Sequence, residues 1–331
     1  MEFASIGYTH FVRWSLHDLA IAGETNDDAI RARWIQSFGS LSASGSLPDL
    51  SLQLDLTSAV PPPPPGPAHF RQNDLIEYRL TGDQLSAYFP RYGLIHLHLE
   101  QGRSEGQVVR AALDTYGVFE DLVAISLSPH LRRRGLFLIH AFAAAPRPLP
   151  GLQPSQGERG ILIVGQIGSG KTTTGMALLD AGWKLLSNDS PIISAEGEIL
   201  SYPGLIAATP YSLDHFASTR PLIPTPLIAY ANRKVSFAAE SVWPNVWIAR
   251  ARPAAILFPQ IEPRADHLLE PLSQPEALRM LLPHAIEQWD REMIPAHLAL
   301  LKRLVETTPA FRLRLGPDVS ALAEGVAEGV R

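Results

Sequence analysis

The chain has no cysteine. Disulfides, thiolate metal sites and cysteine nucleophiles are therefore excluded, and the composition fits a cytosolic protein. No run approaches the ~18 apolar residues of a membrane helix. The opening MEFASIGYTHFVRW lacks the basic start and apolar stretch of a signal peptide. The expectation is a soluble, cytoplasmic protein with no membrane partner. The formal net charge is −5, and no long basic block or aromatic-plus-basic stripe is present. Nucleic acid is not an expected partner. A serine-hydrolase elbow, a dinucleotide fingerprint and internal repeats are also missing.

What is present starts with residues 165–172, which read GQIGSGKT. They fit the phosphate-binding pattern G-x-x-x-x-G-K-[ST] at every fixed position. Glycines let the backbone wrap an anion, and successive N–H groups then point inward as a nest. Lys171 supplies a point charge for the β and γ phosphates, and Thr172 a hydroxyl for Mg²⁺. The nucleotide-contacting set is Gly165, Ile167, Gly168, Ser169, Gly170, Lys171, Thr172 and Thr173. Residues 160–164, GILIV, read as a strand buried on both faces. Residues 173–181 read as a helix, with Gly182 as its stop. The loop thus joins a buried strand to a helix N-terminus, where the dipole favours phosphate.

With 331 residues, 46% of them hydrophobic, the chain can hold two domains with substantial cores. The division is placed at 1–130, a strand-rich region, and 131–331, which carries the phosphate loop. In the first region Leu52, Leu54 and Leu56 alternate with polar residues, as do Ile95, Leu97 and Leu99. His96 and His98 share the other face of that second strand. Two histidines at that spacing can chelate a metal, but no third ligand accompanies them. Residues 61–67, PPPPPGP, read as a stiff surface loop, with a docking site for a proline-binding module as the alternative. Helices are expected over 107–113 and 118–127. Farther on, strands are expected over 136–143, 247–258 and 311–315. One helix opens at Ser273 with a capping box to Glu276. Another covers 285–293 and is interrupted or ends near Pro295. A last one follows Pro317 with Val319, Leu322 and Val326 on its apolar face.

A triphosphate site needs a carboxylate for Mg²⁺ or for the acceptor. Asp189 closes the short stretch 184–189, KLLSND, directly after the phosphate-loop helix. In a βαβ layout that strand end lies at the same sheet edge as the loop. Spacing alone leaves Asp189 open between this role and a plain turn residue. His140, read alone, is a core or edge histidine on a strand. Arg233, Lys234, Arg250 and Arg252 are candidates for phosphate or acceptor recognition, or simply exposed charges.

Four stretches together resemble the HPr kinase/phosphorylase family and its wider group of HPr-kinase-related serine kinases. They are 134–141 (RGLFLIHA), the phosphate loop, 181–189 (AGWKLLSND) and, more weakly, 202–205 (YPGL). The resemblance covers roughly 131–282. It implies an α/β, P-loop, HPr-kinase-like (PEP-carboxykinase-like) C-terminal domain, with a smaller strand-rich α+β N-terminal region. It also implies ATP and Mg²⁺, with Thr172 and Asp189 organising the metal, and it places His140 beside the catalytic acid. Typical members carry two adjacent Asp, the first regarded as the acid or base, where this chain has Asn188 and Asp189. Asn188 can only hydrogen-bond, so either Asp189 takes that role or the acceptor needs little early proton removal. The downstream E-[IV]-R-G-L signature is missing, which argues against HPr itself as acceptor.

The implied activity is transfer of the γ-phosphate of ATP to a hydroxyl, on a serine of a protein or peptide or on a small molecule. Asn188 keeps open a nucleotide-binding regulatory module with little turnover. A P-loop ATPase is a third reading, although no Walker B strand follows. Family members form oligomers, so the resemblance leaves a homo-oligomer open.

Overall fold

A computed structural model describes residues 10–41, 47–72, 75–147, 158–224 and 234–329. The chain is mixed α/β with several mixed sheets. It divides into two compact units: Met1–Arg134 with Glu287–Arg291, and Gly135–Ile286 with Glu292–Arg331. None of the helices in the described residues is long and apolar enough to cross a membrane.

The first unit is built on an eight-stranded sheet. In chain order its strands are β1 (His10–Leu16), β2 (Leu19–Thr25), β3 (Leu50–Thr57), β4 (Phe70–Gln72), β5 (Ile76–Thr81), β6 (Gln84–Phe89), β7 (Gly93–His98) and β8 (Arg103–Val109). Their spatial order is β1-β2-β3-β8-β7-β6-β5-β4. The alternating leucines of β3 point inward at Leu50, Leu52 and Leu54, but the pattern then fails: Asp55 is buried and Leu56 is not. Helix α1 (Asp28–Phe38) is capped by the Asp27 carboxylate and buries Trp34 and Phe38. Phe38 stacks on Trp14 at 5.1 Å. The expected helix over 107–113 is instead the end of β8 followed by the short α2 (Arg110–Asp114). Strand pairing on both sides of β8 overrides the local helical pattern. Helix α3 runs Val118–Arg132. His96 and His98 are engaged by Ser86 and Glu105. The proline run lies between β3 and β4, outside any strand.

The second unit holds β9 (Leu136–Leu138), β10 (Ala141–Ala145), β11 (Arg159–Val164), β12 (Lys184–Ser187), β13 (Ile192–Ser194), β14 (Ile199–Leu200), β15 (Ile206–Ala208), β16 (Val235–Phe237), β17 (Arg250–Ile261), β18 (Leu268–Leu272) and β19 (Ala310–Leu315). Its helices are α4 (Lys171–Asp180), α5 (Pro210–Asp214), α6 (Gln274–Leu281), α7 (Ile294–Thr307) and α8 (Leu322–Gly329). Strands β11, β17 and β19 are mutually parallel. Strand β10 lies antiparallel between β11 and β12, so β12 points the same way as β11.

Burial of this sheet on both faces is visible in the residue alternation. Ile161, Ile163, Ala255 and Leu257 pack with α4 and α8 on one side. Leu162, Val164, Ile256 and Phe258 pack with α6 and α7 on the other. The 160–164 run is thus a two-face strand, as its sequence indicates. Gly175 lets α4 sit on β10, since a methyl there would run into the Phe142 ring.

The expected single strand over 136–143 is broken. Residues 136–138 pair with β13, and residues 141–145 pair with β11 and β12. Ile139 and His140 form the crossing between the two. The expected helix over 285–293 is not there; α7 begins at Ile294 with Pro295 in its first turn. Proline lacks an N–H and suits a helix start better than a helix end. The capping box at Ser273 is present: its N–H donates to Glu276 Oε2 at 3.1 Å.

Candidate active site

Four like-directed strands, β12, β11, β17 and β19, bring their C-terminal ends to one edge of the sheet. Such an edge is where open α/β sheets gather their ligands, because the turns leaving parallel strands all emerge there. Two sequence segments meet at it at once. The glycine turn leaves β11, and residues 188–189 leave β12. The 139–140 crossing enters at the same edge, since Ala141 pairs with the last residue of β11, Val164.

The turn is shaped by its glycines. Gly168 has φ 84° and Gly170 φ 98°, backbone states that residues with a Cβ resist. A Cβ on Gly168 would meet nothing within 4 Å, so that side of the turn is open. Gly170 serves as N-cap of α4, and Thr174 N donates to its carbonyl at 2.8 Å. The free N–H groups of the first turn of α4 therefore face the sheet edge side of the loop. Ile167 is 89% exposed at the tip. Ser169 Oγ is buried without a hydrogen-bond partner among the described residues, an orphaned donor inside the turn.

Lys171 is buried, and its Nζ lies 2.6 Å from His140 Nε2 and 3.6 Å from Asp189 Oδ1. His140 Nδ1 lies 3.3 Å from the same Asp189 oxygen. An ammonium only donates, so Nε2 is the acceptor and Nδ1 carries the N–H toward Asp189. The backbone holds this triangle in place: Ala141 N donates to Asp189 O at 2.9 Å, and Ile139 N to Pro191 O at 3.0 Å. Lys171, with two partners, keeps one N–H uncommitted.

The electrostatics follow from that geometry. Burial pushes the Lys171 ammonium below its ordinary value, Asp189 opposes the shift, and the positive charge of Lys234 adds to it. For Asp189, desolvation works upward. The hydrogen bond from His140 and the Lys171 ammonium outweigh it and hold the carboxyl below the usual aspartate range. Asp189 keeps about half of its side-chain surface, 53%, in contact with solvent.

The remaining candidates are distributed as follows. Asn188 donates from Nδ2 to Leu205 O at 2.8 Å, tying its turn to the 202–205 stretch. Thr172 is half-buried in the first turn of α4. Thr173 Oγ1 donates to Ser212 Oγ at 3.0 Å. Arg250 and Arg252 stand at the start of β17, level with Arg159 at the start of β11, and so at the opposite edge of the sheet. Arg233 lies outside the described residues. His284 was not singled out by any motif, yet its ring stacks 6.2 Å from that of His140.

Among the described residues no group of three or more His, Asp or Glu side chains could hold a metal ion. A Mg²⁺ ion carried by nucleotide phosphates needs only one or two protein ligands, since phosphate oxygens and waters fill the rest of its octahedron. No protein-family model and no curated protein matches the chain.

Proposed function

We propose that the second unit is an ATP-dependent phosphotransferase of the HPr-kinase-like serine kinase type, with 165–172 as its P-loop. It moves the γ-phosphate of ATP to a hydroxyl, on a serine of a protein or peptide or on a small hydroxylated molecule. The single observation that carries this reading is the meeting of Lys171, His140 and Asp189 at the mouth of the glycine turn. They come from three separate segments of the chain, and structural needs alone do not call for a buried lysine there.

In this reading the amides of the turn and Lys171 hold the phosphates. The open side of Gly168 and the orphaned Ser169 hydroxyl fit an anion in that cradle. Mg²⁺, held by Thr172 and Asp189, would neutralise charge between the β and γ phosphates. His140 orients Asp189 and Lys171 relative to each other. Phosphoryl transfer through a loose transition state depends mostly on such positioning and charge placement.

The test incubates the chain with Mg-ATP and a set of hydroxyl acceptors: free L-serine, serine peptides and a cell lysate. Mass spectrometry then looks for added phosphate. A phosphorylated acceptor supports the kinase. ADP formed without one supports a P-loop ATPase. Tight nucleotide binding with neither supports a regulatory module, the reading that Asn188, tied to Leu205 O, favours. No nucleotide binding at all overturns all three.

A further inference from the structure

His284 ends the 3₁₀ turn Leu282–His284 that extends α6. Its ring plane lies 20° from that of His140, with centroids 6.2 Å apart. Its carbonyl accepts a hydrogen bond from His140 N at 2.7 Å. A main-chain bond thus fixes where the second imidazole stands relative to the first. The rings differ in one chemical respect. His140 commits both nitrogens, one to Lys171 and one to Asp189. Neither ring nitrogen of His284 has a hydrogen-bond partner among the described residues, and the residue is half-buried, so one side of the ring is reachable.

Moving a phosphoryl group onto a hydroxyl releases a proton that some group must take. Asn188 cannot accept it, because an amide has no basic nitrogen. Asp189 is already paired with a lysine and a histidine, which makes it a weak base. We infer that His284 is the general base of the transfer, taking the proton of the acceptor hydroxyl. This rests on the phosphotransferase reading. The acceptor oxygen forms a bond to the γ-phosphorus as its proton moves to a ring nitrogen of His284. The bond from that phosphorus to the β–γ bridging oxygen breaks, and its electron pair leaves with the nucleoside diphosphate. The proton returns to solvent afterwards.

The surroundings suit that task. The charged or titratable groups that bear on His284 are His140, from the crossing between β9 and β10, and Lys171, from α4. Burial first, and then these two, keep its ring below the ordinary histidine value. At neutral pH the ring is therefore unprotonated and able to accept.

The experiment uses the full chain with Mg-ATP and two acceptor probes, free L-serine and a serine peptide array. With whichever probe accepts phosphate, His284→Gln is expected to lower kcat by about 100-fold or more, the usual scale for a lost general base. Nucleotide affinity should stay within a few-fold. The acidic limb of the kcat profile should vanish, and added imidazole should restore part of the rate of His284→Ala. An unchanged kcat in His284→Gln overturns the inference while leaving the kinase reading intact. So does a lower kcat that keeps the acidic limb and refuses rescue, since His284 would then only support His140. Nuclear magnetic resonance of the unaltered chain gives a readout that does not depend on a folded variant. The His284 titration midpoint should rise when ADP is added, because a phosphate nearby favours the imidazolium form; an unmoved midpoint also overturns the inference. An unaltered chain that binds no ATP, or phosphorylates neither these probes nor anything in a cell lysate, fails the reading itself and takes the inference with it.

Discussion

The Lys171 ammonium stands 2.6 Å from His140 Nε2, across 31 positions of sequence. Only the sheet brings them together: Lys171 follows the turn after β11, and His140 precedes the strand paired with β11. The pairing leaves Lys171 charged, buried and partly desolvated before any ligand arrives. In the proposed reading a phosphate would replace that lost water with an anion, at a site organised ahead of binding.

Replacing that lysine is expected to weaken nucleotide binding. A charge-assisted hydrogen bond is worth about 1.5–3 kcal/mol, so Lys171→Ala should raise the ATP dissociation constant about 10- to 100-fold. Calorimetric titration with Mg-ATP measures this directly. Affinity held within twofold would count against the phosphate role.

Asp189→Asn separates binding from chemistry. The amide keeps the shape but loses the charge that faces Lys171 and that, in the proposed reading, would help hold Mg²⁺. Transfer is expected to disappear, while nucleotide affinity stays within a few-fold. Retained transfer measured on the same acceptor would remove Asp189 from the site.

Stability of the first unit should depend on pH through His130. This residue is 1% exposed and lies 3.0 Å from Ser104 Oγ. Burial, then the charges of Arg134 and Arg133, push its ring down from 6.5 to about 4. Between those values the unfolded chain binds a proton that the folded chain does not. The stability is therefore fully present above the ordinary histidine range, falls as pH drops toward 4, and levels off below that. The shift corresponds to about 3 kcal/mol in total, about 2 of it lost by pH 5. Urea melts at pH 7 and pH 5 should show this loss, and His130→Gln should flatten it.

Gly175→Ala tests the approach of α4 to β10. Alanine is the better helix former by about 1 kcal/mol. Here its methyl would enter the ring of Phe142, which is fully buried. Overpacking of this kind costs about 1–3 kcal/mol, so the net expectation is a lower thermal midpoint. Phe142→Leu in the same chain should recover part of the loss; independent effects of the two changes would contradict the contact.

Much of the second unit was readable locally. The glycine turn, the strand buried on both faces and the Ser273 capping box each depend on residues within one short window. Elements set by distant partners were not readable. Residues 107–109 carry a helical pattern but extend β8, because β3 and β7 supply hydrogen bonds on either side. No glycine or proline marks the break at His140; it comes from the pairing of 136–138 with β13 and of 141–145 with β11 and β12. Pro295 suggests a helix interruption or end, yet it lies in the first turn of α7. Spacing leaves Asp189 open between a turn residue and a site residue, and its 3.6 Å approach to Lys171 exists only in three dimensions. His284 carries no local signal at all, since its only link to the site is through space.

The first unit also has a consequence for how the protein is made. Arg132, 2% exposed, pairs with Asp290 at 2.8 Å and lies over the Trp289 ring, and Trp289 stacks on Tyr78. Those partners leave the ribosome more than a hundred and fifty residues later than Arg132 itself. Until then the nascent chain holds a guanidinium with no counter-charge and a bare Tyr78 face, so the amino-terminal part of the protein cannot finish folding during translation on its own account.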